Sequence, residues 1–157
     1  MIEKPKNNEQ PGTAVYELAG LVERGAASFI DGFLLTLLLT VILLVFTQLA
    51  GGMPNHLRQF VNLAAPVAYH WYFWTRRDGQ TLGKFALGIR VIKSDGTALS
   101  DTDALIRAIG YHVSAMLFGL GFVWALLDKN NQTWHDKLAR SYVVRNDSQR
   151  KTIDVSR

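Results

Sequence analysis

Gly32 to Leu57 contains not one Asp, Glu, Lys or Arg, and two further stretches, Gln59–Thr75 and Ala108–Leu127, are equally free of them. All 17 basic and 13 acidic residues of the 157-residue chain lie outside these three spans. The hydrocarbon core of a bilayer takes roughly 20 apolar residues at about 1.5 Å each. Phe29–Ala50, reading FIDGFLLTLLLTVILLVFTQLA, meets that length with one charge, Asp31, near its start. A soluble domain of this size rarely needs three such segments, which argues against a buried helix of a soluble protein. The expected fold class is an all-α membrane protein with three transmembrane helices, the third either crossing or re-entrant. A short amphipathic helix and a small two-stranded element at the cytoplasmic surface complete it.

The turn chemistry divides the chain. Residues 1–14 are polar, with Pro5, Asn7, Asn8 and Pro11, and read as a disordered tail. They lack the charged-then-apolar order of a cleaved signal peptide, so the first crossing segment is expected to act as an uncleaved anchor. From Val15 the apolar positions 15, 18, 19 and 22 have helical spacing, with Thr13 as a candidate cap. The first membrane helix is expected from about Leu21 to Gly51-Gly52, where Met53-Pro54-Asn55 makes a turn. The second runs from about Leu57 to Trp74 and contains Pro66, which membrane helices tolerate with a kink. Tyr69, Trp71, Tyr72, Phe73 and Trp74 followed by Arg76 and Arg77 mark a cytoplasmic membrane interface. Residues 15–145 form the membrane domain, and 146–157 read as a second disordered tail.

The linker 78–107 is the most structured loop. Thr81–Leu87 has helical spacing, with Leu82, Phe85, Ala86 and Ile89 on one face, as in a short interfacial helix. Ile89–Lys93 alternates like a strand and ends at the Asp95-Gly96 turn. Ser141–Arg145 is a second strand able to pair with it. Ser100 with Asp103 resembles a capping box, starting a helix that runs into the third apolar segment. Gly110, Gly119 and Gly121 in that segment either allow close helix contacts or break it into a hairpin.

Charge placement sets up a conflict over topology. Lys and Arg number 3 before the first apolar segment, 1 in the first loop (Arg58), 6 in the second loop and 7 after the third segment. The positive-inside rule puts the N-terminus and residues 76–107 in the cytoplasm. Three full crossings would then export the basic C-terminus, whereas strand pairing between 89–93 and 141–145 needs both on one side. The net charge of +4 is modest, and the basic residues flank apolar segments. Anionic lipid headgroups are therefore the expected partner, and nucleic acid is not. The absence of cysteine removes any disulfide framework.

Arg24 and Asp31 lie seven residues apart, nearly two turns, and so share a helix face with an axial gap of about 10 Å. A carboxylate inside an apolar segment costs roughly 2.5–3.5 kcal/mol at the membrane centre and less near its edge. It is accordingly expected to face the bundle interior, either as an ion or proton site or as a structural ion pair. Asp136, in Trp134-His135-Asp136, is the third costly position. His70 and His112 sit in apolar segments, where a lone His more often bridges helices than relays protons. His56 and His135 are expected at the interface. No metal site, cofactor or enzymatic constellation is expected. Gly79-Gln80-Thr81-Leu82-Gly83-Lys84 is one residue short of a phosphate loop, and Phe85 replaces the required Ser or Thr.

These residues form a larger pattern. Arg24 and Asp31, the Gly79–Lys84 block, Leu87-Gly88-Ile89-Arg90-Val91, Asp95-Gly96, Arg107, His135-Asp136 and Val143-Val144 together resemble the RDD family across residues 16–145. That family is named for one arginine and two aspartates, which here would be Arg24, Asp31 and Asp136. Asn130-Asn131 and Arg140 depart from its pattern, where a basic and a small residue are usual. The resemblance implies a multi-pass membrane protein of a bacterial inner membrane. It also implies a transport role, such as cation/proton antiport, or service as an accessory subunit. In the transport reading Asp31 would hold a monovalent cation or proton, with Arg24 as its partner. Three helices cannot enclose a polar path alone, so a homo-oligomer would be needed, with the third-segment glycines as contacts.

Overall fold

The computed structural model of the chain describes residues 16–117 and 119–146; the expected tail 1–14, the Thr13 cap and all but the first residue of the expected tail 146–157 lie outside them. It is mostly helical, with one two-stranded sheet. Helix α1 spans Leu21–Ala50, begins at Gly20 and stops at Gly51, whose φ of 69° ends it in the left-handed conformation. Helix α2 covers Asn55–Arg76 and contains Pro66. The short α3, Leu82–Ala86, starts at Thr81, whose hydroxyl accepts from the Lys84 amide. Strand β1 is Ile89–Lys93. Helix α4, Asp101–Met116, is capped by Ser100 as its spacing from Asp103 suggests. A single-turn helix α5, Leu120–Val123, and a 3₁₀ turn over Trp124–Leu126 follow. Helix α6, Trp134–Leu138, and strand β2, Ser141–Arg145, complete the order.

The polar pattern is inverted relative to a soluble domain. Helix α1 buries only Ala27 and Asp31, while Leu34, Leu38, Val41, Ile42, Val45 and their neighbours lie exposed. The buried set instead includes Asp31, His70, Lys84, Arg107, His135 and Asp136. A helix about 45 Å long with an apolar surface all round is stable only in a medium as apolar as itself. Among the described residues α1 is the one helix long and apolar enough to cross a membrane unaided.

The expected third span is not a single helix. Helix α4 ends at Met116, Gly119 takes φ 76°, and the α5 arm leaves at 107° to α4. A side chain at Gly121 would put its Cβ 2.2 Å from the Ser114 hydroxyl, so the chain doubles back against its own helix. A Cβ at Gly110 would likewise lie 3.1 Å from His135 Cβ. These two glycines thus serve contacts within the chain, where contacts between copies were expected.

Strands β1 and β2 pair antiparallel in the expected place, Ile89 opposite Arg145 and Lys93 opposite Ser141. Residues 17–19, expected as the start of a helix, run extended along the other side of β2. Ala19 N donates to Val143 O at 2.9 Å and Arg145 N to Glu17 O at 2.9 Å. The open edge of β2 supplied hydrogen bonds that outweighed a weak helical periodicity. Ile89, expected on the α3 face, belongs to this sheet and is fully buried.

The packed core is small and lies at the sheet end, where Ala27, Trp74, Val91, Ala104, Ala108 and Val143 meet. Trp74 and Tyr69 therefore turn inward, away from the aromatic belt expected of them, while Tyr72 stays exposed.

Candidate functional site

Two buried carboxylates organise the sheet end, and they do not share a partner. Asp31, 2% exposed, accepts from the Thr81 hydroxyl at 2.5 Å, the Gly83 amide at 2.7 Å and the Tyr69 hydroxyl at 2.8 Å. It ties α1 to the N-terminus of α3 and to the end of α2. Thr81 serves twice, because as N-cap its oxygen also accepts from Lys84 N at 3.3 Å. Gln80 secures the same loop from outside, donating to Ile89 O at 3.2 Å, and Gly79 turns with φ 74°.

Asp136 forms the second centre. It is fully buried and ion-pairs with both Arg24 and Arg107. It also accepts from the Thr133 hydroxyl at 2.7 Å and amide at 3.0 Å, closing a capping box at the start of α6. Burial raises the Asp136 carboxyl, but Arg107 and Arg24 together more than offset it and hold the acid well below its usual range. His135 beside it is pushed down to about 3, chiefly by burial, and is a neutral ring.

Arg24 thus pairs with Asp136 and with the Asn131 carbonyl, and the anticipated Arg24–Asp31 pair is absent. The seven-residue spacing did put both on one face, but the 10 Å gap let each find its own partner. His135, expected at the interface, is 2% exposed. Lys84, also assigned to an interfacial loop, is 4% exposed and points into the protein. In α3 it is Leu82 and Phe85 that face outward, so this turn presents apolar residues to its surroundings and buries its polar ones.

Three residues of the site were not read as site residues from the sequence, although Arg107 stood in the family pattern and Tyr69 in the aromatic run. Arg107 is the last charge before the Ala108–Leu127 stretch, the same signal that singled out Asp31. Thr133 stands three residues before Asp136, a capping-box spacing. Tyr69 lies within an aromatic run and has no distinguishing sequence signal.

A cavity of about 500 Å³ opens beside Asp31, lined among others by Ser28, Thr36, Thr40, Asn62, His70 and His112. His70 and His112 come together here, with ring centroids 5.6 Å apart. His70 Nδ1 donates to Pro66 O at 2.8 Å, and the buried His112 Nε2 has no hydrogen-bond partner among the described residues.

Comparison with known proteins accounts for this constellation. The model of the RDD family matches residues 18–140. The chain belongs to the RDD family. It is also 30% identical over 138 residues to the uncharacterized protein YckC of Bacillus subtilis (strain 168), covering 83% of this chain and 86% of that one. No solved structure matches it. As an RDD family member with the exposed apolar helix α1, the chain is a membrane protein. The trio behind the family name divides here between the two centres, Asp31 in one and Arg24 with Asp136 in the other. The two departures from the family pattern fall where the backbone is unusual. Asn131 and Arg140 both adopt positive φ, 52° and 46°, which Asn tolerates better than most residues and Gly best of all.

Proposed function

We propose that this protein is transport-related, with Asp31 exchanging a monovalent cation for a proton and the Arg24–Asp136–Arg107 cluster serving as a fixed clasp. The observation that carries this is the polar trail beginning at Asp31. Ser28, Gly32, Thr36 and Thr40 stand beside and beyond it at four-residue steps along one face of α1 and line the 500 Å³ cavity. A second cavity of about 370 Å³ shares Thr40 and Leu43 and continues past Thr47 to Arg58. From Asp31 to Thr47 the trail covers about 24 Å, most of a hydrocarbon core of about 30 Å. Asp31 is held by neutral donors alone, so no arginine competes with an arriving cation for its oxygens. A homo-oligomer would close the open side of this trail.

In the same reading the membrane is crossed by α1 and α2, and the α4–α5 segment enters and returns on one side. Residues 17–19, β1 and β2 share one sheet, so the chain crosses an even number of times between them. Of the 17 basic residues only Arg58, in the first turns of α2, lies near the α1–α2 turn, which supports a cytoplasmic sheet in a plasma membrane. The native chain has no cysteine, so single cysteines report topology cleanly. Cysteine at His56 is expected to react with an impermeant maleimide from outside, and cysteines at Thr97 and Asn130 only after lysis. Outside labelling at Asn130 would restore three crossings.

A scaffold or accessory role is the second reading. It is favoured by the three hydrogen bonds that already satisfy Asp31 and stitch three elements together. Cation-driven proton flux in proteoliposomes separates the two. Wild type is expected to respond to Na⁺, K⁺ or Li⁺ and Asp31→Asn to lose that response while keeping its elution volume. Absence of flux with all three ions in folded wild type refutes the exchange reading and leaves the scaffold.

A further inference from the structure

Behind the Asp136 cluster lies another cavity, of about 440 Å³, whose two ends differ in character. Its inner end is lined by Arg24, Lys84, Arg107 and His135, and its outer end by Phe29, Ala115, Val123 and Leu126. Phe29, Val123 and Leu126 are exposed, as is the apolar length of α1.

The inner end holds more cationic capacity than its carboxylates use. Asp136 spends its oxygens on Arg24, Thr133 and one nitrogen of Arg107. Arg107, 1% exposed, is left with Nη1 and Nε that no described residue accepts. Lys84 is 4% exposed and has no ion pair among the described residues. Its ammonium and the Arg107 guanidinium instead lie over the Trp74 ring, at 5.7 and 4.4 Å. The indole Nε1 of Trp74 is also buried without a partner among the described residues. Counting Asp31 along with Asp136, three cations face two carboxylates, an excess of one positive charge. Buried donors in this number are costly unless an acceptor reaches them.

We infer that this cavity binds the headgroup of an anionic phospholipid, with the phosphate against Lys84 and Arg107 and an acyl chain leaving between Phe29 and Leu126. Guanidinium and ammonium groups suit phosphate oxygens. The apolar outer end opens where a lipid chain already lies, which favours a membrane lipid over a free anion. The inference does not rest on ion exchange at Asp31, because it uses a different cavity and different side chains.

The ammonium of Lys84 is also responsive to pH. It is faced by Arg24 and Asp31 from α1, His70 from α2, Arg107 from α4 and His135 and Asp136 from α6. Burial first, then the charge of Arg107, pushes it down to about 8. A lipid phosphate that needs the protonated form will therefore bind more weakly as the pH rises through that value.

The test uses the full chain in a neutral maltoside detergent, with thermal unfolding followed by tryptophan emission. Phosphatidylglycerol is expected to raise the midpoint, phosphatidylcholine to raise it less, and inorganic phosphate not at all. Lys84→Met should weaken the phosphatidylglycerol response roughly tenfold in lipid concentration, the loss of one charge-assisted contact. Because it removes a buried charge, it should unfold no earlier than wild type without lipid. Ala115→Trp, at an exposed position on the cavity rim, should block the response with Lys84 intact. If Lys84→Met does not fold, Ala115→Trp carries the decision. Equal responses to the two lipids, or wild-type responses from the folded variants, overturn the inference. Stabilisation by inorganic phosphate as large as that by phosphatidylglycerol overturns the lipid assignment in favour of a soluble anion.

Discussion

Asp136→Asn is expected to abolish most of the folded, detergent-extractable protein. Asp136 is fully buried, and the side chains of its partners Arg107 and Arg24 are 2% and 11% exposed. Removing the carboxylate leaves two guanidiniums facing each other with no counter-charge. Breaking a buried pair in this way costs about 3–5 kcal/mol, a large part of the roughly 5–15 kcal/mol that holds a domain together. Asparagine also keeps only one acceptor oxygen, which cannot serve both the arginines and the Thr133 capping box, so the start of α6 is weakened. Asp136→Asn combined with Arg107→Met should recover part of the loss, because one unpaired cation is gone. Asp101→Asn is the contrast. Its pair with Arg76 is half exposed on both sides, and its loss should be within about 0.5 kcal/mol. Size-exclusion profiles of fluorescently tagged variants give the comparison, and a wild-type profile for Asp136→Asn would show that the cluster does not hold the fold.

The same cluster sets the acid limit of stability. The folded carboxyl of Asp136 lies below its unfolded value, so its contribution is complete above about pH 4 and is lost as the pH falls further. His135 acts in the same direction but begins earlier. Its neutral ring takes up a proton on unfolding at any pH between 6.5 and about 3, so stability falls with pH through that window.

Features encoded over short distances were legible in the sequence. The start and end of α1 near Leu21 and Gly51, the Ser100 cap and the two strands at 89–93 and 141–145 follow from apolar length, capping chemistry and alternation. What was illegible depends on distant partners. Nothing local to Arg24 says that its carboxylate lies 112 residues ahead at Asp136 in place of seven ahead at Asp31. An excess of Lys and Arg assigns a side of the membrane but cannot tell a crossing from a re-entrant turn. Nor does it show the bend in that segment, which comes from Gly119 and from the close approach of Gly121 to Ser114. Lys84 was read as interfacial because a charge beside Leu82 and Phe85 normally faces water. In the fold the outer face of α3 is the apolar one, and Lys84 turns in.

Gly83→Ala is expected to separate α3 from α1. A Cβ at this position would lie 2.1 Å from the Ala27 carbonyl oxygen and 3.1 Å from Asp31 Cγ. Both are held by the packed interior of α1, so the five-residue α3 must move. That movement would pull the Gly83 amide and the Thr81 hydroxyl off Asp31, leaving a buried carboxylate short of two donors. Overpacking of this kind typically costs up to about 3 kcal/mol before the lost hydrogen bonds are counted. Gly32→Ala provides the matched control one residue from Asp31. Its Cβ meets nothing within 4 Å, and alanine in a helix interior is favoured over glycine by about 0.5–1 kcal/mol. Melting curves should therefore move in opposite directions for the two variants, and a wild-type melt for Gly83→Ala would mean that α3 is not clamped where it stands. Gly32 also lines the cavity beside Asp31, so its methyl group enters the proposed ion trail without loosening the fold. A stable Gly32→Ala protein with reduced flux would place the path along this face of α1, because the substitution alters the cavity and leaves every hydrogen bond to Asp31 in place.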